Sequence, residues 1–199
     1  MTSFIDQKKR FYFVHVPKTG GMTVTRFFAS GRDRSWRRKL SPLNDRIAIH
    51  DGAGAIRSLL GREAENYFSF AYYRNSWDWA FSLYRYIQRT QNHDWHARVK
   101  DLSFRAYVDQ VAGQFYRPQK PMVGQRGRIA VTRLEDFRKI GQSLPEILEE
   151  LGYDASSLGR ENAAPERRDY RDAYDRESRA AIARIYQEDI EFFDFRFGD

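Results

Sequence analysis

The stretch "FVHVPKTGGMTVTRFF", residues 13–28, decides how the chain is read: an apolar run passes through Pro-Lys-Thr-Gly-Gly into residues spaced for a helix. A strand, a glycine turn and a helix N-terminus together make an anion seat. First-turn N–H groups have no partner inside the helix, and the helix dipole is positive at that end. Gly20 and Gly21 supply the turn, Thr19, Thr23 and Thr25 add hydroxyl donors, and Lys18 adds a point charge. Pro17 stiffens the strand exit. A nucleoside-triphosphate loop, GxxxxGK[ST], carries its lysine after the glycines, at the helix start. Residues 16–23, "VPKTGGMT", carry it at the strand exit, within reach of a transferred group or a bridging oxygen. Taken alone, the segment also reads as a glycine turn with an exposed lysine.

Outward from this point, short runs rich in β-branched and aromatic residues predict strands at 10–16, 46–50, 67–73 and 128–132. Helical spacing fills the intervals. Ile56, Leu59 and Leu60 share a face behind a predicted Asp51 N-cap, Phe81, Tyr84 and Gln88 follow one helix, and Phe104, Tyr107, Val108 and Val111 mark another. The second half turns helical. Ser143 reads as a cap with Pro145 in the first turn and Gly152 at the end, and a last helix is expected after Asp175. Strands alternating with helices predict an α/β fold with a mostly parallel sheet, and 199 residues predict one domain spanning 1–199.

A second basic turn follows the third predicted strand. In "FAYYRNSWDWAFSLYRY", residues 70–86, Arg74 stands at the strand end and Ser82 about two turns into the next helix. An arginine fork there suits a phosphate, because ligands of open α/β sheets bind at the C-terminal ends of strands. Two such turns predict a ligand with two separated anionic groups.

Composition sets the limits. The formal charge of +7 invites polyanions, with the densest basic run at 32–40, "RDRSWRRKL", read as a solvated loop or as a platform for an anionic partner. Cysteine is absent, which excludes disulfides, thiolate metal sites and cysteine nucleophiles. His93 and His96 are three apart but lack a third ligand of clear identity nearby, and the expectation is no metal. With no signal-peptide pattern and no apolar run of membrane-spanning length, a cytoplasmic protein without a membrane segment is expected.

These motifs resemble those of the carbohydrate sulfotransferases. "HVPKTGGMT" is similar to that family's 5′-phosphosulfate loop, HIPKTGGTT, and "FAYYRNSWDWAFSLY" to its 3′-phosphate motif, FxFVRNPWDRxxSLY. Between them "IHDGAGAIRSLLG" resembles the His-x-x-Ala segment and "VTRLEDF" the GRFENL turn, and the C-terminal stretch from Glu161 resembles the family's last loop and helix. Met22 stands where the family has Thr, Ser76 where it has Pro, Trp79 where Arg is common, and Ala164 where Ser is usual.

The resemblance implies a P-loop-NTPase-like three-layer sandwich. It implies 3′-phosphoadenosine 5′-phosphosulfate (PAPS) as sulfuryl donor, no metal, and transfer to an acceptor hydroxyl or amine of a carbohydrate or small metabolite. Pro17, Lys18, Thr19, Gly20, Gly21, Met22 and Thr23 are implied to hold the 5′-phosphosulfate, and Arg74 and Ser82 the 3′-phosphate, with Arg167 and Arg168 at the same end. Lys18 is implied to stabilise the leaving oxygen and His50 to act as the base, a role that histidine suits near neutral pH. His15 reads as a packed residue that orients the loop. A nucleotide-dependent kinase shares the strand–loop–helix logic but lacks a clear acidic residue at a strand end, and a basic polyanion-binding module lacks any nucleic-acid motif.

Overall fold

The computed structural model describes residues 2–30, 35–49, 51–115, 118–158 and 169–199. The chain divides into two compact units, residues 1–73 with 121–165 and residues 74–120 with 166–199.

The first unit is built on a four-stranded mixed sheet. Strands β1 (Phe4–Asp6), β2 (Phe11–Val14), β3 (Phe68–Tyr73) and β6 (Arg133–Asp136) lie in the order β1-β2-β3-β6. β1 runs antiparallel to β2, with Phe4 opposite Phe13, whereas β2, β3 and β6 are parallel, with Val14 opposite Ala71 and Tyr73 opposite Asp136. Successive side chains of a strand point to opposite faces. Phe11, Phe13, Phe70 and Tyr72 therefore share one face, where they bury against Val24 and Phe28 of α1 (Gly21–Ala29) and Leu144, Ile147 and Leu148 of α8 (Ile140–Glu150). Tyr12 points the other way, its hydroxyl donating to the Ala130 carbonyl at 3.3 Å.

Two predicted strands differ from what forms. Among the described residues 46–49 there is no strand, and a 3₁₀ turn covers Pro42–Arg46. The reason is local. Asn44 pairs with the backbone of Ile5 at two points, accepting its N–H at 2.7 Å and donating to its carbonyl at 2.8 Å. One buried amide thus occupies the edge of β1 that a further strand would need. Residues 128–132 contribute only β5 (Arg128–Ile129), which pairs with β4 (Gly124–Gln125) in a separate hairpin. Thr132 instead exchanges bonds with Ser69 through side chains, its amide donating to the Ser69 hydroxyl at 2.9 Å.

The basic run is also not a loop throughout: Trp36–Leu40 forms the short helix α2, and Arg37 donates to the carbonyls of Ser3 and Asn44. Helix α3 (Ala53–Leu60) starts on Gly52, not Asp51, whose carboxylate accepts from the Ala48 amide at 2.8 Å. α8 begins three residues before Ser143, because Asp136 caps a preceding 3₁₀ turn and delivers the chain already wound. Pro145 lies inside the helix, and Gly152 at φ +70° closes it with bonds from Gly152 N to Glu149 O and Tyr153 N to Leu148 O.

In the second unit α4 (Ser76–Arg89) is accompanied by α5 (His96–Val99), α6 (Phe104–Gln110), α9 (Arg176–Ile185) and α10 (Gln187–Phe193), and the one-turn α7 (Lys120–Val123) carries the chain across the boundary. Trp79 of α4 packs on Tyr186 at 5.6 Å between ring centroids, and Tyr84 on Tyr107 of α6 at 5.2 Å. The last helix starts where expected: Asp175 and Ser178 form a reciprocal cap. Among the described residues no helix is long and apolar enough to cross a membrane.

Candidate functional site

β2 ends at Val14, and His15–Gly20 turn the chain into α1. Two residues of that turn are left-handed, Lys18 at φ +65° and Gly20 at φ +81°. Glycine adopts this region without penalty, whereas a lysine there costs about 1–2 kcal/mol. Such strain clusters at functional sites, and here Arg10 in a turn and Asp194 at the end of α10 adopt the same region. The turn is held from three directions. Thr19, fully buried, donates its hydroxyl to the Val16 carbonyl at 2.8 Å. A Cβ on Gly20 would meet Ile140 Cδ1 at 2.6 Å and the Phe137 ring at 3.2 Å, so the "VTRLEDF" turn closes under the loop. A Cβ on Gly21 would lie 2.0 Å from His15 Cδ2: the imidazole rests directly on the Gly21 backbone. His15 is thus the packed residue expected, and Gly21 is the one residue type that admits it.

The N-terminus of α1 is left open. Among the described residues no side chain caps it, its first turn carries no acidic residue, and Thr23 N–H returns to Gly20 O at 2.8 Å. The Thr19 and Thr25 hydroxyls expected as donors are already engaged, Thr25 with the Gly21 carbonyl at 2.8 Å, while the Thr23 hydroxyl makes no hydrogen bond to another described residue. Met22, in place of a threonine, is about half exposed (49%). The turn thus brings Lys18 and the Thr23 hydroxyl together with the N-terminus of α1.

Sequence reasoning missed Ser3. Its buried hydroxyl accepts the His15 amide and donates to the Asp51 carbonyl, both at 2.9 Å, and so ties the exit of β2 to the segment that precedes α3. Nothing in the spacing of the sequence marks a lone serine near the N-terminus for this. His50, Arg167 and Arg168 lie outside the described residues.

In the second unit Arg74 is 7% exposed and its fork is engaged: Nε and Nη2 donate to the two carboxylate oxygens of Asp78, each at 2.7 Å. Its main chain is clamped by Gln119, whose side chain accepts the Arg74 N–H at 2.9 Å and donates to the Arg74 carbonyl at 2.7 Å. Asp189 in turn accepts the amides of Gln119 and Lys120, and burial pushes its carboxyl above the usual carboxylate range, those two amides opposing the shift. Asn75 caps α4 by accepting the Trp77 amide at 3.1 Å. Ser82 is half-buried on α4, and its hydroxyl has no partner among the described residues.

His93 accepts the Trp95 amide on Nδ1, and His96 Nδ1 lies 2.9 Å from the Ile87 carbonyl. Both therefore stabilise local turns, and among the described residues no three His, Asp or Glu side chains stand together as a metal site. In comparisons with known proteins, no family model, no curated protein and no solved structure matches the chain.

Proposed function

We propose that the chain is a sulfotransferase that moves the sulfuryl group of PAPS to an acceptor hydroxyl or amine, on a P-loop-NTPase-like α/β sandwich. One observation carries the reading: the His15–Thr23 loop is a strained turn that opens on an uncapped helix N-terminus with Lys18 at its entrance. The resemblance of "HVPKTGGMT" and "FAYYRNSWDWAFSLY" to the two nucleotide motifs of the family supplies the donor's identity. PAPS brings the sulfuryl group and, in the PAP it leaves behind, the leaving group.

The chain's own residues have these roles in the proposal. The first-turn amides and Thr23 hold the 5′-phosphosulfate, and Lys18 stabilises the charge that builds on the bridging oxygen as the S–O bond breaks. A sulfuryl group carries less charge than a γ-phosphoryl group, so a lysine and backbone donors suffice, and positioning and electrostatics dominate. Arg74, with Ser82, answers for the 3′-phosphate, Asp78 fixing the plane of the fork; Arg167 and Arg168 belong to the same role. His50 takes the proton of the acceptor as the new bond to sulfur forms. The acceptor is a carbohydrate or a small metabolite.

Thermal melting tests the reading. PAP without metal is expected to raise the melting temperature, by about 2.7 kcal/mol of stabilisation at a hundred times its Kd, with a much smaller rise from ATP and magnesium. Stabilisation by magnesium-ATP and none by PAP would overturn the proposal. His50→Ala is expected to keep PAP binding and lose transfer.

A further inference from the structure

Within the first unit, away from the phosphosulfate loop, a cleft of about 580 Å³ lies between the end of α3 and the β4–β5 hairpin. That volume falls in the range of small-molecule sites, roughly 300–1,000 Å³. Arg57, Ser58 and Glu65 line one side, and Gln125, Arg126 and Arg128 the other. The lining is basic and only partly neutralised. Glu65 pairs with Arg57, while the guanidinium groups of Arg126 and Arg128 have neither an ion pair nor a hydrogen bond to another described residue. Like charges gathered on one wall repel one another unless an anion joins them.

The hairpin adds a second, independent observation. Gln125 pairs with Arg128, and the two residues between them are both left-handed, Arg126 at φ +51° and Gly127 at φ +74°. A two-residue turn of this kind favours Asn, Asp or Gly at its first position. An arginine there is strained, and its side chain lines the cleft beside Arg128. On the opposite wall Gly61, at φ +59°, leaves open space where a side chain would stand.

We infer that this cleft is a second anion site, taking a ligand of small-molecule size with at least two phosphate or sulfate ester groups, one met by Arg57 and one by Arg126 with Arg128. Forked guanidinium groups suit such oxyanions, which accept paired hydrogen bonds. The site is separate from the donor loop and its occupancy does not depend on the sulfotransferase reading.

Calorimetric titration of the whole chain with inorganic tripolyphosphate, and separately with a disulfated disaccharide, tests the inference, each run with and without PAP. Saturable one-to-one binding is expected for at least one of them, and which binds distinguishes phosphate from sulfate as the natural source. The double variant Arg126→Gln/Arg128→Gln is expected to weaken it about tenfold or more, as loss of charge-assisted bonds requires. Arg176→Gln/Arg184→Gln, which removes the same charge from exposed positions on α9, is expected to change it less than about twofold. Equal loss in both variants, an unaffected hairpin variant, stoichiometric displacement by PAP, or no saturable binding of either probe would each overturn the site. Failure of PAP to bind sinks the sulfotransferase reading and leaves the cleft's test intact.

Discussion

The helices that follow β2 and β3 begin in opposite ways. α1 starts on a left-handed glycine, has no side-chain cap among the described residues and has no acidic residue in its first turn. α4 starts on Asn75, whose side chain caps it, and carries Asp78 in its first turn. The basic residue of each turn follows suit. Lys18 is left-handed, at φ +65°, in the turn before α1, whereas Arg74 is buried, clamped by Gln119 and paired through two nitrogens with Asp78. A helix N-terminus favours negative charge, and an acidic residue in the first turn supplies part of it from within the chain. The two motifs look alike on paper, each a basic residue between a strand and a helix, yet among the described residues the first helix has neither a side-chain cap nor an acidic first turn and the second has both.

The comparison breaks first at Asp78. Removing one partner of a buried pair leaves the other charge uncompensated, and Asp78→Ala is expected to cost about 3 kcal/mol in urea denaturation. The pair's side chains are only 9% and 14% exposed, which leaves little solvent to screen the loss. A loss below about 1 kcal/mol, the size of a surface pair, would mean that the second turn is as open as the first. The open turn has its own weak point. Gly21→Ala drives a methyl into the His15 ring and is expected to cost about 2 kcal/mol by overpacking. The double variant His15→Ala/Gly21→Ala should recover part of that cost, since the two residues are in contact and their effects do not add. Additive losses would show that the imidazole is not what excludes a side chain at 21.

What was legible in the sequence follows the same division. β2, β3, α4, α6 and the start of α9 carry their own signals, an aromatic strand run, a helical stripe or a side-chain cap, and each was readable from its own residues. The PKTGG turn was readable as well, down to His15 as its packing partner. Residues 46–49 were not, because a single amide from Asn44 takes the edge of β1, and one side chain produces no period. Gln119 plays the same part toward Arg74, and Ser3 toward His15. Long-range pairing by isolated polar side chains depends on which residues folding brings together, and spacing along the chain does not encode that. The start of α8 was obscured for another reason: a proline, which favours first turns, lies in its interior.

A smaller effect sharpens the closed turn. Ser76 is fully buried at the first position of α4, and its hydroxyl has no partner among the described residues. The preceding residue, Asn75, holds φ −48° and ψ 131°, outside the α region that a following proline disfavours. Ser76→Pro therefore meets no backbone conflict, removes an unsatisfied hydroxyl and restricts the unfolded chain, for a gain of about 1 kcal/mol. Chemical denaturation measures it, and a loss of stability would show that the Ser76 amide donates within the fold.

The smallest expected change in stability falls on the residue with the largest expected role. At φ +65° glycine relieves the strain that Lys18 bears, but it also enlarges the unfolded ensemble, and the two terms nearly cancel. Lys18→Gly should therefore leave stability within about 0.5 kcal/mol of the native chain while it removes the charge at the mouth of α1. If the open turn is a phosphosulfate seat, this variant melts normally and transfers no sulfuryl group. A stable variant with full transfer would mean that the helix terminus does the work alone. A variant that unfolds would mean that Lys18 serves the fold, and that the strain at this turn was never there for a ligand.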